Sequence, residues 1–143
     1  MHKPVIRTSR GQRADIGAYK IQRSLANEHV AAVGQFVFLE YAAPTRHAPT
    51  AARQQANGTG AHPHRGIATL TYLLSGEGLH RDSRGHTALV RSGGAQLMNA
   101  GNGIVHDEAV NLDPTTDTHR YQAISSGLLP GRQKGRSRAG VPF

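Results

Sequence analysis

The sequence predicts an all-β protein, and three features of the chain support this. Short runs rich in branched and aromatic residues recur along residues 33–106, separated by clusters of glycine, serine or asparagine. Turns at intervals of about eight to twelve residues are typical of a β-sandwich or barrel. No segment keeps the hydrophobic period of about 3.6 residues that marks an amphipathic helix. With 143 residues, the chain is long enough for one domain with a sizeable core.

The first half of the chain contains two clear strands. Residues 16–32 alternate only loosely, whereas residues 33–40 (VGQFVFLE) carry the aromatic and branched side chains that fit a pleated sheet. Residues 42–61 hold two prolines, two glycines and many small residues, and they predict a long loop. Such a loop is either a mobile lid over a site or a surface insertion. Residues 67–74 form the next strand, and residues 75–78 close it with a turn.

Four further short strands follow, connected by turns rich in glycine and serine. These strands are predicted at residues 80–82, 87–90, 95–98 and 104–106. A tight glycine turn at residues 100–103 delivers the last of them. Residues 121–124 and 128–129 are candidates for one more strand, which the small residues 125–127 interrupt.

The chain divides into three parts. We expect a flexible N-terminal lead over residues 1–15, one domain over residues 16–130 and a basic tail over residues 131–143. The net charge is +8, and part of it lies in this tail. A basic tail can bind phosphate backbones, but aromatic residues are few and do not alternate with basic ones. Nucleic acid is therefore not an expected partner.

The composition also indicates in which cellular compartment the protein is expected. The chain has no cysteine, which excludes disulfides, thiolate zinc sites and cysteine nucleophiles. No apolar run is long enough to span a membrane, and the N-terminal residues lack the apolar segment of a secretion signal. We therefore expect a cytoplasmic protein with no membrane partner.

Two triplets, HPH and HDE, point to a metal site. In each triplet, two side chains of ligand type stand at positions i and i+2, which share one face of a strand. If the two strands lie near each other in one sheet, three imidazoles and one carboxylate converge. Such a set suits a divalent transition metal with open coordination positions. The predicted ligands are His62, His64, His106 and Glu108.

Three of these residues also have an alternative interpretation. His62 and His64 would otherwise be a surface pair beside Pro63, a residue that favours an edge strand or a bulge. Glu108 would otherwise be a solvated acid, with Asp107 as the ligand or neither. An isolated pair is a weak signal in a chain with nine histidines, but a second triplet beside a glycine turn makes coincidence less plausible.

Three nitrogens and one oxygen suit Fe(II), Mn, Ni, Co or Zn. A closed zinc site would use all four ligands in a tetrahedron, whereas an octahedral ion keeps two positions for substrate and dioxygen. Histidines elsewhere in the chain are expected at surface or structural positions. His80 is the strongest exception, because it lies on a predicted strand directly after the glycine turn at residues 76–78.

The chain resembles the pirin family of the cupin superfamily. The resemblance covers about residues 16–108, and its most specific segments are GAHPHRG at 60–66 and NAGNGIVHDE at 99–108. TLTYLL at 69–74 and HRDS at 80–83 also match. The resemblance implies a single cupin domain, a jelly-roll β-barrel, with iron or a similar ion held by the residues of the two triplets. Fe(II) is the first choice, and Ni, Mn, Co or Zn are the alternatives.

The resemblance implies two main functions. Some pirins are similar to quercetin 2,3-dioxygenases, which cleave flavonols with dioxygen. An aromatic small molecule would then be the substrate, and Glu108 would be the catalytic residue, as a ligand or as the acceptor of the hydroxyl proton. Other pirins are non-catalytic regulators that bind protein partners and use the metal as a redox sensor. A third, weaker hypothesis is a small cupin with isomerase-like or hydrolytic chemistry on a sugar or acid.

Two departures from the family pattern matter. Pirins usually carry two cupin domains, and this sequence stops where the second would begin; a tryptophan expected near Leu97 is also absent. Without the second domain, apolar surface should be exposed. We therefore expect a homodimer or a larger assembly that covers it.

Overall fold

The computed structural model describes residues 4–5, 8, 10–17, 19–47, 58–110 and 119–130. These residues form ten β-strands in two antiparallel sheets, which confirms the all-β prediction. The strands are β1 (Gln12–Ile16), β2 (Tyr19–Leu25), β3 (Phe36–His47), β4 (His62–His64), β5 (Ala68–Ser75), β6 (Glu77–Asp82), β7 (Thr87–Arg91), β8 (Ala95–Asn99), β9 (Ile104–Ala109) and β10 (His119–Leu128). No helix in these ranges is long and apolar enough to cross a membrane.

The two sheets face each other, as expected for a jelly-roll barrel. The larger sheet has the order β1-β2-β3-β10-β5-β8, and the smaller one has the order β4-β9-β6-β7. The side chain of Gln96 in β8 reaches His80 in β6 across the interior. The main core cluster contains buried side chains from the larger sheet together with a residue that follows β9. Its members are Tyr19, Ile21, Leu73, Ala123 and Val110.

Strand β3 is longer than predicted. Residues 42–47 continue it, although the sequence indicated that the long loop starts at residue 42. Pro44 is accommodated because the β3–β10 register shifts there, so that Ala43 and Pro44 lie in a bulge between two ladder pairs. The middle of the predicted loop, residues 48–57, lies outside the described residues, and so does the basic tail.

Strand β10 also differs from the prediction, because it runs without a break through Ser125, Ser126 and Gly127. This strand lies between β3 and β5, where small side chains leave room for larger neighbours. A Cβ atom at Gly127 would overlap the ring of Phe38. The residues that seemed to interrupt the strand are therefore those that let it occupy the middle of the sheet.

The chain joins the sheet earlier than expected. Strand β1 begins at Gln12, so the last residues of the segment predicted as a lead, 1–15, pair with β2. The register places Gln12 opposite Arg23 and Ile16 opposite Tyr19. Strand β1 was not predicted because most of its side chains are charged or polar. They are tolerated because β1 is an edge strand whose positions are mostly exposed.

Strand β5 has an unusual distribution of side chains. Thr69, Thr71 and Leu73 face the interior and are buried, whereas Leu70, Tyr72 and Leu74 alternate with them and face outwards. Leu70 is 37% exposed, Tyr72 43% and Leu74 39%. As a result, the interior beside β5 is partly polar, and the outer surface of the larger sheet is apolar.

Candidate metal centre

The two triplets lie on neighbouring strands, which is the condition for their side chains to converge. Strands β4 and β9 are antiparallel, with His62 opposite His106. The ring centroids of His62 and His106 are 4.4 Å apart, and those of His64 and His106 are 5.0 Å apart. Pro63 points away from this cluster on β4, which is the edge strand that a proline tolerates. The structure thus brings three imidazoles together on the inner face of the smaller sheet.

The surroundings of His62 and His106 leave a ring nitrogen of each available to a metal. One ring nitrogen from each of the three histidines lies within 4.8 Å of the others. His62 Nδ1 lies 2.9 Å from the carbonyl oxygen of Gly60, and because a carbonyl only accepts, this Nδ1 carries the proton. His106 Nε2 is buried and has no hydrogen-bond partner among the residues that the structure describes. An unpartnered buried nitrogen beside two other imidazoles fits a bound divalent ion.

Burial and neighbouring imidazoles favour the neutral form of His106 and His64. Burial, followed by the repulsion of neighbouring imidazoles, lowers the pKa of His106 to about 3. The neighbours are His62, His64 and His80, and Asp82 opposes them only in part. Burial and the proximity of His62 likewise lower the pKa of His64. Because a metal binds the neutral imidazole, these rings do not need to lose a proton at neutral pH.

Glu108 lies near the imidazoles but clusters with a different pair. Its carboxylate oxygen lies within 4.8 Å of ring nitrogens of His80 and His106, whereas His62 and His64 form the other set with His106. The reason is the register, which places Glu108 opposite His80 of β6, on the side of β9 away from β4. Burial raises the pKa of the Glu108 carboxyl.

A short segment before β4 holds the backbone of Glu108 in place. Thr59 donates its N–H to the Glu108 carbonyl at 3.0 Å and accepts the Glu108 N–H with its hydroxyl at 3.1 Å. The Tyr19 hydroxyl donates to the same carbonyl at 3.1 Å. Gly58 pairs with Ala109, and a Cβ atom at Gly58 would overlap the Glu108 carbonyl oxygen. These contacts could not be predicted from the sequence, because the residues that make them are far apart in the chain.

The imidazole cluster and Glu108 line a cavity of about 410 Å³ between the sheets. Apolar side chains form part of its wall, and these include Ile21, Val37, Phe38, Ile67 and Ala123. Across the cavity, the larger sheet contributes Arg23 and Glu40, whose side chains are joined by a hydrogen bond of 2.7 Å from Arg23 Nε. The interior threonines of β5 and Ser125 add hydroxyl groups. The site therefore combines side chains that could hold a metal ion with a pocket whose wall is partly apolar and partly polar.

Comparisons with known sequences agree with the resemblance. The Pirin family model matches residues 18–124. A pirin-like protein of Arabidopsis thaliana is 47% identical over 73 residues, which are 51% of this chain and 24% of that protein. A pirin-like protein of Caulobacter vibrioides is 33% identical over 134 residues, which are 92% of this chain and 45% of that protein.

Solved structures share the fold. The crystal structure of quercetin 2,3-dioxygenase from Acinetobacter baumannii matches with a TM-score of 0.72 and 28% identity, over 85% of this chain and 38% of that one. A bacterial pirin from Escherichia coli, in complex with nickel(II), matches with a TM-score of 0.67 and 24% identity, over 85% of this chain and 49% of that one. The chain spans less than half the length of each of these four proteins. Because the family model covers most of a chain with this cupin fold, the protein belongs to the pirin family.

Proposed function

We propose that this protein is a metal-dependent dioxygenase of the quercetinase type, which cleaves a flavonol with dioxygen. The observation that carries this proposal is the position of the imidazole cluster in the wall of a cavity of about 410 Å³. Cavities of about 300–1,000 Å³ are typical of small-molecule sites. A metal that serves only as a redox sensor needs no such cavity, so the cavity favours the enzyme over the regulator.

The proposed metal ligands are the three imidazoles and Glu108, which is the next inward-facing residue of β9 after His106. Fe(II) is our first choice, and Ni, Mn, Co or Zn are the alternatives. When bound, such an ion would let electron density pass from the substrate to dioxygen. The protein side chains would then have to bind the flavonol, orient it and remove its hydroxyl proton.

Glu108 is the proposed acceptor of that proton. Burial raises its pKa, which makes the carboxylate a stronger base than an exposed glutamate. The apolar wall formed by residues such as Ile21 and Phe38 would enclose the flavonol rings. Arg23 and Glu40 would offer hydrogen bonds to ring hydroxyls on the opposite side. The overall reaction converts quercetin and dioxygen to a phenolic ester and carbon monoxide.

Oxygen uptake in the presence of quercetin tests this function. We expect the Fe(II)-loaded protein to consume oxygen, and we expect Glu108→Gln to lower kcat by about 10²- to 10⁴-fold, because the amide cannot accept the proton. Metal content measured on the same sample separates the two roles of Glu108. If Glu108→Gln keeps its metal but loses turnover, Glu108 acts as a base. If the variant loses its metal, Glu108 is a ligand.

The matched control is His29→Gln, which changes an exposed imidazole outside the cavity and should leave turnover unchanged. Absence of oxygen uptake by a protein that holds stoichiometric metal would contradict the dioxygenase proposal. The metal-dependent regulator would then be the better explanation.

We also propose that copies of the chain associate through the outer face of the larger sheet. Leu70 lies opposite Leu97, and Tyr72 lies opposite Ile124, so that apolar side chains adjoin across three strands. Leu97 is 66% exposed. We expect light scattering to show a dimer or larger species, and we expect Leu97→Glu to shift it towards the monomer. A monomeric wild-type protein at micromolar concentration would contradict this expectation.

A further inference from the structure

His80 is a buried histidine that the proposed chemistry does not use. It lies on β6 beside His106, and its side chain is 6% exposed. Its Nδ1 lies 3.1 Å from His106 Nδ1 and 2.8 Å from Gln96 Nε2. Its Nε2 lies 3.5 Å from Asp82 Oδ2. Both ring nitrogens of His80 therefore face polar groups of the protein.

These contacts determine where the protons lie. An amide nitrogen only donates, so Gln96 requires an unprotonated Nδ1 on His80. A neutral His80 then carries its proton on Nε2, which points towards the Asp82 carboxylate. The single lone pair of His80 Nδ1 is shared between this amide and the N–H of His106 Nδ1, as a bifurcated hydrogen bond. His106 is left with a free lone pair on Nε2, which is the buried atom without a hydrogen-bond partner in the described part of the chain.

Asp82 is held in place to complete this arrangement. Its side chain is 4% exposed, and its carboxylate accepts hydrogen bonds from the backbone N–H groups of Arg84 and His86 and from the His86 ring. Burial tends to raise the pKa of Asp82, but these hydrogen bonds outweigh burial and hold it well below its usual range. Asp82 therefore presents a negative charge to His80 Nε2–H at neutral pH.

We propose that His80 is a positioning residue, which together with Asp82 and Gln96 fixes His106 as the tautomer that offers Nε2 to the metal. This inference rests on the metal site proposed above. The same cluster also permits His80 to be a ligand, in a set with His106 and Glu108. The hydrogen bonds argue against that role, because they leave His80 without a free lone pair. Histidine ligands of metal sites generally donate their second ring N–H to a hydrogen-bond acceptor, and His80 Nδ1 would be that acceptor for His106.

Histidine nitrogen NMR of the metal-free protein tests the tautomer directly. We expect His106 to show protonated Nδ1 and unprotonated Nε2 in the wild type. In His80→Ala, we expect a mixture of tautomers, since the acceptor for Nδ1–H is gone. His80→Asn should restore the wild-type pattern, because the asparagine amide oxygen can take the place of the His80 Nδ1 acceptor.

The second readout is the affinity for Co(II), measured by competition with a chromophoric chelator. We expect His80→Ala to weaken Co(II) binding by about 10- to 100-fold, and we expect His80→Asn to recover most of the loss. Gln96→Leu keeps His80 and removes only the amide, so it serves if His80→Ala does not fold. We expect Gln96→Leu to weaken binding less than His80→Ala. His29→Ala is the matched surface control.

An unchanged His106 tautomer in both His80→Ala and Gln96→Leu, with Co(II) affinity within about twofold of wild type, would overturn the proposal. A loss of the cobalt absorption bands in His80→Asn as complete as in His62→Ala would show that His80 is a ligand, and this would also overturn it. If wild-type protein binds no Co(II), the metal site itself fails. The NMR result on metal-free protein still decides the role of His80 in that case.

Discussion

Replacing His106 with alanine is expected to weaken metal binding by more than about 100-fold, a larger effect than is typical of residues behind the ligands. His106 belongs to both clusters of side chains that could hold a metal ion, and its ring is the most buried of the three imidazoles. Its loss leaves His62 and His64 on the edge strand without the opposite ligand on β9. The measurement is the metal content of protein purified without added metal, followed by competition titration with Co(II).

The control for this experiment is His29→Ala, which removes an exposed imidazole and should retain the metal. Near-stoichiometric metal in His106→Ala would contradict the proposed ligand set. His62→Ala and Glu108→Ala extend the test to the other strand and to the carboxylate. Loss of metal in all three variants, with folding retained, would support one site that spans β4 and β9.

The metal-free protein should lose stability as the pH falls from about 6.5 towards 3. The pKa of His106 is about 3 in the folded protein, whereas an unfolded histidine titrates near 6.5. Below pH 6.5 the unfolded chain therefore binds a proton that the folded chain excludes, and protonation favours unfolding. For this residue alone, the free energy of unfolding should be about 2 kcal/mol lower at pH 5 than at pH 8.

Urea unfolding in the presence of a chelator, at a series of pH values, measures this effect. The variant His106→Gln should show a flatter dependence on pH between 5 and 7, because it lacks the titrating group. His29→Gln should keep the wild-type slope. Equal slopes for wild type and His106→Gln would show that His106 is not the residue whose protonation destabilises the fold.

The triplets were visible in the sequence because the two-residue period of a strand is a local property. Two residues at positions i and i+2 share a face of a strand wherever that strand lies in the fold. His62 and His64 could therefore be assigned to one face of their strand, and His106 and Glu108 to one face of theirs. Which strands become neighbours is not local. The pairing of β9 with β6 as well as β4 brought His80 next to Glu108, and sequence alone gave only the hint that His80 lies on a strand.

Other features depend on contacts between distant parts of the chain. Gln96 reaches His80 from the opposite sheet, and Thr59 clamps Glu108 from a segment outside any predicted strand. The sequence predicted an interruption of strand β10 at the small residues 125–127, whereas the close packing of Phe38 on Gly127 explains why small residues are needed there. Strand propensity describes the preference of a residue for the extended backbone. It does not include the neighbouring side chains that limit how large that residue can be.

The short edge strand β4 gives the proposed metal a structural role. In the described chain, β4 pairs with β9 alone, through three residue pairs, yet it carries two of the proposed ligands. A bound ion would therefore act as a cross-link between β4 and β9, and its binding free energy would add to the cost of opening this edge locally. The integrity of this edge of the barrel would then follow the metal supply of the cell as well as the sequence.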